Sequence, residues 1–291
     1  MKKKIPFFMV LSAAVLWGTT GTAQTFLDNS HPISVGAMRL AVGGAFLTLT
    51  AIALNKLSFK KLSLGYVLMA AVCMACYQPF FFSAVSMTGV AIGTVVGIGS
   101  APIMAGAIDW VVRKRRKSIR WWGATFLSVM GCIMLFINSG DVVIDPLGIL
   151  FALGAGLSFA GYTLLSEKLV KSDSSISVAA IVFLSSAIML SPLLFIFDSS
   201  WVFNENGIIV SLHLGVLATG FAYLLFSRGL VQVQGSTAVT LSLAEPLTAA
   251  ILGVFLVGEE FSFLSWVGIA LILGGLTVLS VPRKTVISKA A

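Results

Sequence analysis

The stretch SLAEPLTAA, Ser242–Ala250, lies inside an apolar run from Ala238 to Val257 and sets a carboxylate, Glu245, directly before Pro246. A charge is expensive in such a run, and the proline removes a backbone hydrogen bond as well. What the pair means depends on its surroundings. Of the 291 residues, 58% are hydrophobic and only 10% charged, with a mean hydropathy of +1.02. Soluble domains carry roughly 25% charged residues, so this chain cannot cover a water-facing surface with charge. A bilayer-spanning helix needs about 20 mainly apolar residues. The runs of that kind fall near 5–27, 33–54, 63–86, 90–112, 119–138, 147–169, 176–197, 207–228, 235–257 and 263–281. The expected fold is an all-α membrane protein with ten transmembrane helices. The basic start and apolar core of MKKKIPFFMVLSAAVLWG mimic a secretory signal, but the run continues to Leu27 and is read as an uncleaved first helix.

The basic residues test that division independently. With an even number of spans both termini share a side. Eighteen of the nineteen Lys and Arg fall on it, among them Lys2–Lys4, the cluster Arg113–Lys117 with Arg120, and Arg283, Lys284 and Lys289. The opposite connections hold none, yet carry Asp28, Asp141, Asp145, Asp198, Glu205, Glu259 and Glu260. By the positive-inside rule both termini are cytoplasmic. The formal charge of +8 then reflects anchoring at anionic headgroups, and no nucleic-acid partner is expected. The nineteenth basic residue, Arg39, lies inside the second span.

An internal repeat follows. A shift of 144 places Ser100-Ala101-Pro102 on Ala244-Glu245-Pro246, Trp122 on Trp266 and Gly131 on Gly275. A shift of 143 places ISVGAM, Ile33–Met38, on ISVAAI, Ile176–Ile181. Two halves result, residues 1–140 and 141–291, with five spans each. An odd number of spans per half inverts the second repeat relative to the first, as in many secondary transporters, whose sites lie near the midplane between the halves.

On these residues the chain resembles the drug/metabolite transporter superfamily, in its ten-helix EamA-type branch. The segment Tyr223–Gly275 carries most of the likeness: Glu245-Pro246, then Gly258-Glu259, then the glycines of the tenth span. Trp17-Gly18 and Arg39-Leu40 match in the first half. The halves depart from each other chemically, with Ala101-Pro102 opposite Glu245-Pro246 and Arg115 opposite Glu259. The resemblance implies a transporter and names no substrate.

Candidate residues follow from polarity at depth. Glu245 lies about 13–15 Å into its span, so it faces protein or a wet cavity, or is protonated. It is either a proton- or amine-binding group or a structural carboxylate satisfying backbone freed by Pro246. Arg39, about 9–10 Å deep from the other side, needs acceptors: a substrate carboxylate, or protein groups as a structural clasp. His213 is a candidate proton relay or a hydrogen-bonded packing residue. Gln24, Tyr77, Gln78, Tyr162 and Tyr223 are the remaining large polar groups within spans, and Trp17 with Phe80–Phe82 offers apolar walls. Pro79, Pro102 and Pro246 are hinge or static-kink candidates. Asp109 with Arg113 four residues on reads as a surface support. Cys73 and Cys76 form a C-x-x-C pair, but no second pair or nearby histidine completes a metal site, and with Cys132 they read as small apolar packing residues; neither metal nor cofactor is expected.

The resulting expectation is a secondary transporter in the cytoplasmic membrane of a bacterium, moving a small polar metabolite by alternating access. The substrate classes that fit one acid and one base are an amino acid, an amine, a carboxylate or a drug-like compound. Export is favoured, and protons and a second copy of the chain are entertained as partners beside the bilayer. No G-x-x-x-x-G-K-[ST] loop exists for direct ATP coupling. The alternatives are an integral membrane enzyme acting on a lipid-linked substrate, for which no paired carboxylates or nucleophile–base set is found, and a passive channel.

Overall fold

The computed structural model describes residues 4–27, 30–58, 62–136, 145–258 and 260–281. The division at 140/141, together with Asp28, Asp141, Glu259, Lys60, Lys61 and the basic tail, lies outside them. Ten helices are long and apolar enough to cross a membrane: α1 Ile5–Gln24, α2 Pro32–Ala53, α3 Leu64–Gly89, α4 Ile92–Val111, α5 Ile119–Phe136, α6 Pro146–Leu169, α7 Ser175–Ile196, α8 Glu205–Leu230, α9 Gly235–Leu256 and α10 Phe263–Ser280. All ten coincide with the expected spans to within about three residues, and no strand occurs among the described residues.

Local chemistry sets the ends. Asp145 accepts from the backbone N–H of Leu147 and Gly148 at 2.8 and 3.0 Å, with Pro146 opening α6 in a position where no N–H is needed. The α3–α4 connection is a reversal at Gly89, whose φ of 81° with ψ of 164° is a conformation that side chains with a Cβ rarely adopt. Gly258, at φ 81°, ends α9 in the left-handed conformation.

Packing places the repeats against each other. The α3–α4 pair lies along α6, α2 along α7, α5 along α10, and α1 between α8 and α9. Small residues decide how near these helices come. A Cβ on Gly275 would lie 2.1 Å from Ser128 Oγ, and one on Gly131 would lie 2.6 Å from the Gly268 carbonyl, so α5 and α10 meet backbone to backbone. α4 and α6 approach similarly, for a Cβ on Gly156 of α6 would meet the Gly97 carbonyl at 2.7 Å. Lys4 of α1 and Ser280 and Val281 at the end of α10 line one groove. Both described ends of the chain therefore lie on one side, called here the terminus side.

Candidate functional site

α9 is broken where the opening motif stands. Its first segment ends at Leu241, Ser242 and Leu243 form a turn, and helix resumes at Ala244. Pro246 has no N–H for the Ser242 carbonyl, and the Glu245 N–H takes that acceptor instead at 2.8 Å. The turn sets Glu245 on the first turn of the second segment, half-buried. Helical structure runs on through Pro79 and Pro102, so the interruption belongs to the second repeat alone. Close approach at the same level comes from Gly18: a Cβ there would lie 2.7 Å from the Glu245 carbonyl and 2.5 Å from Thr248 Cβ. The Trp17-Gly18 pair thus sets a large ring beside a residue that lets α1 touch α9.

Arg39 reaches the same level from α2, and α8 positions it. Residues His213–Phe221 form a π-helical stretch, a widened geometry frequent at functional positions. Within it the Thr219 hydroxyl donates to the Leu214 carbonyl five residues back at 2.8 Å. Thr219 Oγ1 then accepts from Arg39 Nε at 2.8 Å, and the Ala218 carbonyl accepts from Nη2 at 3.2 Å. Gly43 and Gly215 make room, since a Cβ on Gly43 would lie 2.4 Å from Thr219 Cγ2. A guanidinium has five N–H donors, so donors remain beyond these two bonds.

Glu245 and Arg39 line one cavity of about 310 Å³ with Trp17, Gln24, Tyr77 and Gln78. Phe81 and Phe82 form part of its wall, whereas the Phe80 ring turns away to stack on Phe151 at 5.9 Å. The cavity extends to Gly21 and Gln24 at the end of α1, Val85 in α3, Thr94 in α4 and Phe136 closing α5. These are the helix ends away from the termini, and there Gly21 is exposed, with nothing within 4 Å of where its side chain would stand. Toward the termini it is stopped by rings: Trp17 meets Tyr223 at 4.8 Å, Phe226 at 5.1 Å and Phe159 at 5.8 Å.

The remaining candidates divide. Tyr223 borders a void of about 20 Å³ beneath the cavity, between Glu245 and Phe159. Tyr162 is buried in the aromatic packing of Phe159, Phe183 and Tyr223, off the cavity wall. His213 is also outside the lining; its Nε2 lies 2.9 Å from Thr19 Oγ1. Because the Thr19 hydroxyl donates to the Leu16 carbonyl at 2.7 Å, the histidine is the donor of that pair. Pro246 lines the cavity; Pro79 and Pro102 do not. Among the described residues no group of three His, Cys, Asp or Glu side chains could hold a metal ion. Phe159, Phe226 and Thr219 escaped the sequence reading, since each is an unremarkable member of an apolar helix.

Asp109 is a correction. It is fully buried, not a surface support, because the basic segment after α4 folds back over it and α6 brings Glu167 beside it.

Comparison with known proteins agrees with the architecture. The EamA-like transporter family profile matches twice, at residues 4–137 and 146–281. The chain is 50% identical over 293 residues to the uncharacterized transporter YwfM of Bacillus subtilis (strain 168), covering 100% of this chain and 99% of that one. It is 25% identical over 287 residues to the uncharacterized inner membrane transporter YicL of Salmonella typhimurium, covering 94% and 95%. A crystal structure 20% identical in sequence superposes with a TM-score of 0.81 over 94% of this chain and 95% of that one, and so shares its fold. These relatives set aside the enzyme reading and, with the ten spans, describe a multi-pass membrane transporter of bacterial type. With two matched repeats covering nearly all of its length, the chain belongs to the EamA-like transporter family.

Proposed function

We propose that this protein is a secondary transporter that moves a small polar metabolite across the cytoplasmic membrane by alternating access, with both termini in the cytoplasm and export the favoured direction. The observation that carries this reading is the meeting of one acid and one base, Glu245 of the second repeat and Arg39 of the first, on the wall of a single cavity closed toward the termini. A metabolite bearing an amine, a carboxylate or both finds a complement to each charge there, and the aromatic walls take its apolar part. A substrate with several phosphates would need more buried cations than Arg39 supplies.

Glu245 gives the coupling. A carboxylate facing a cavity at membrane depth alternates between holding a proton and holding a substrate amine, so that one is released as the other binds. The cytoplasmic placement of the termini rests on the basic residues, eighteen of nineteen of which fall on the terminus side of the chain's spans.

Mass-spectrometric profiling of cells and medium, with and without expression of the parent protein, identifies the substrate class and direction together. A compound class depleted inside and enriched outside supports export; no shift of any class contradicts the transport reading. Once a substrate is in hand, transport by Glu245→Gln at several pH values tests the coupling. Loss of the parent's pH dependence supports it, and a full pH dependence in the variant sinks it.

A further inference from the structure

A second charged cluster lies away from the cavity. Asp109, near the end of α4, and Glu167, near the end of α6, are both fully buried. Arg113 bridges them, donating to Asp109 Oδ1 at 3.1 Å and to Glu167 Oε2. Arg115 and Lys171 reach Glu167 Oε1 at 3.1 and 2.6 Å. Lys117 lies 2.5 Å from Asp109 Oδ2 and donates to Gln234 Oε1 at 3.2 Å. The backbone N–H of Gly235, the first residue of α9, donates to Glu167 Oε2 at 3.2 Å.

The cluster joins the repeats. Asp109 and the arginines belong to the first, whereas Glu167, Lys171 and Gly235 belong to the second. All stand on the terminus side, at the end of α4, the end of α6 and the start of α9. The same α4 and α9 carry cavity-lining residues toward their other halves, Thr94 and Ile98 on one and Glu245 and Ala249 on the other. Two helices are thus clamped together at one end and line an open cavity toward the other.

The physics makes such a clamp two-state. Buried carboxylates that lose their cations without gaining water are strongly disfavoured, whereas complete separation lets water hydrate every partner. A half-open arrangement is the costly one, as a switch between two discrete packings requires. The inverted partner positions lack the chemistry. The shift of 143 sets neutral Gln24 opposite Glu167, and the shift of 144 sets Gly253 opposite Asp109. No carboxylate therefore stands at either of the two repeat-related positions.

We propose that the Asp109–Glu167 cluster is the latch that keeps the terminus side shut while the cavity is open opposite, and that it parts when the cavity opens toward the termini. The proposal rests on the alternating-access reading above. Its test places single reporter cysteines in full-length protein whose Cys73, Cys76 and Cys132 are replaced by alanine, reconstituted in nanodiscs so that a polar maleimide meets both faces. Gly21→Cys reports the open side, where a side chain meets nothing within 4 Å. Ser236→Cys reports the closed side, fully buried one residue after Gly235.

Introducing Glu167→Gln is expected to speed labelling of Ser236→Cys at least about tenfold and to slow Gly21→Cys in parallel, since the latch biases one two-state equilibrium. Unchanged labelling at both positions overturns the latch and leaves alternating access standing. Faster labelling at Ser236→Cys with Gly21→Cys unchanged supports the latch as a barrier but contradicts alternation. Should Glu167→Gln fail to fold, the paired substitution Arg115→Gln/Lys171→Gln decides the matter. Those cations are nearly half exposed, and their loss is expected to move both reporters about two- to threefold in the same directions; no movement there overturns the proposal.

Discussion

The two ends of the bundle are built from equivalent helices and carry different chemistry. On the terminus side, charges from both repeats converge on buried Glu167 and Asp109, and three aromatic rings pack around Trp17 beneath the cavity. At the opposite end α1, α3, α4 and α5 line the cavity with Gly21, Gln24, Val85, Thr94 and Phe136 and bring no ion pair to it among the described residues. At that end Trp201 donates from Nε1 to Ser34 Oγ at 2.8 Å, His31 stacks on Phe197 at 4.2 Å, and Ser265 Oγ donates to the Leu135 carbonyl at 3.3 Å. Two repeats of one ancestry can therefore hold one gate closed by ion pairs and leave the other to side-chain packing. Asymmetry of this kind gives an inverted pair of repeats a preferred resting state.

The comparison can be broken at graded levels. The largest effect is expected from Glu167→Ala, which takes the buried carboxylate from Arg113, Arg115 and Lys171, leaves Arg113 with Asp109 alone, and leaves the Gly235 N–H unpaired. Removing one partner of a buried ion pair costs about 3–5 kcal/mol, which a thermal-unfolding scan of the detergent-solubilised protein would register as a large fall in Tm. Gln24→Ala, at the inverted position, is expected to change stability by less than about 0.5 kcal/mol. Equal losses would show that the ends are not held differently.

A smaller contrast lies within α1. Gly18→Ala forces a methyl group against the Glu245 carbonyl and Thr248, an overpacking worth about 1–3 kcal/mol. Gly21→Ala, one turn on, enters open space and is expected to leave the unfolding temperature unchanged. A loss of about 1 kcal/mol is expected at the opposite end of the bundle, where Ser34→Ala removes the acceptor of the Trp201 Nε1–H, measurable by the same scan.

Much of this was legible in the sequence, and the reason is the bilayer. Every span must be apolar over its whole length and satisfy its own backbone, so the ten helices, the repeat and the depth of Glu245 and Arg39 could be read from composition and spacing. Their convergence on one cavity follows from the inverted repeat. Other features depend on contacts that spacing does not encode. Thr219 is one threonine in an apolar helix until the π-helical stretch turns it toward Arg39. Phe159 and Phe226 read as lipid-facing or packing rings until Trp17 is set between them. Glu167 stands beside Lys168 in the last turn of α6, with Lys171 just past its end, a pattern that suits a solvated helix end equally well; the Arg113–Lys117 segment and the start of α9 at Gly235 bury it. His213 is a similar case, for its intramembrane position is legible but its contact with Thr19 Oγ1 at 2.9 Å, away from the cavity lining, is not.

The most direct test of the central claim, that Glu245 and Arg39 serve transport through one cavity, compares the compound that the parent protein shifts across the membrane with its behaviour in cells expressing Glu245→Ala, the protein levels matched by immunoblot. The account predicts that the shift disappears in the variant while folded protein remains in the membrane. An equal shift in both would make Glu245 a structural carboxylate and contradict the account.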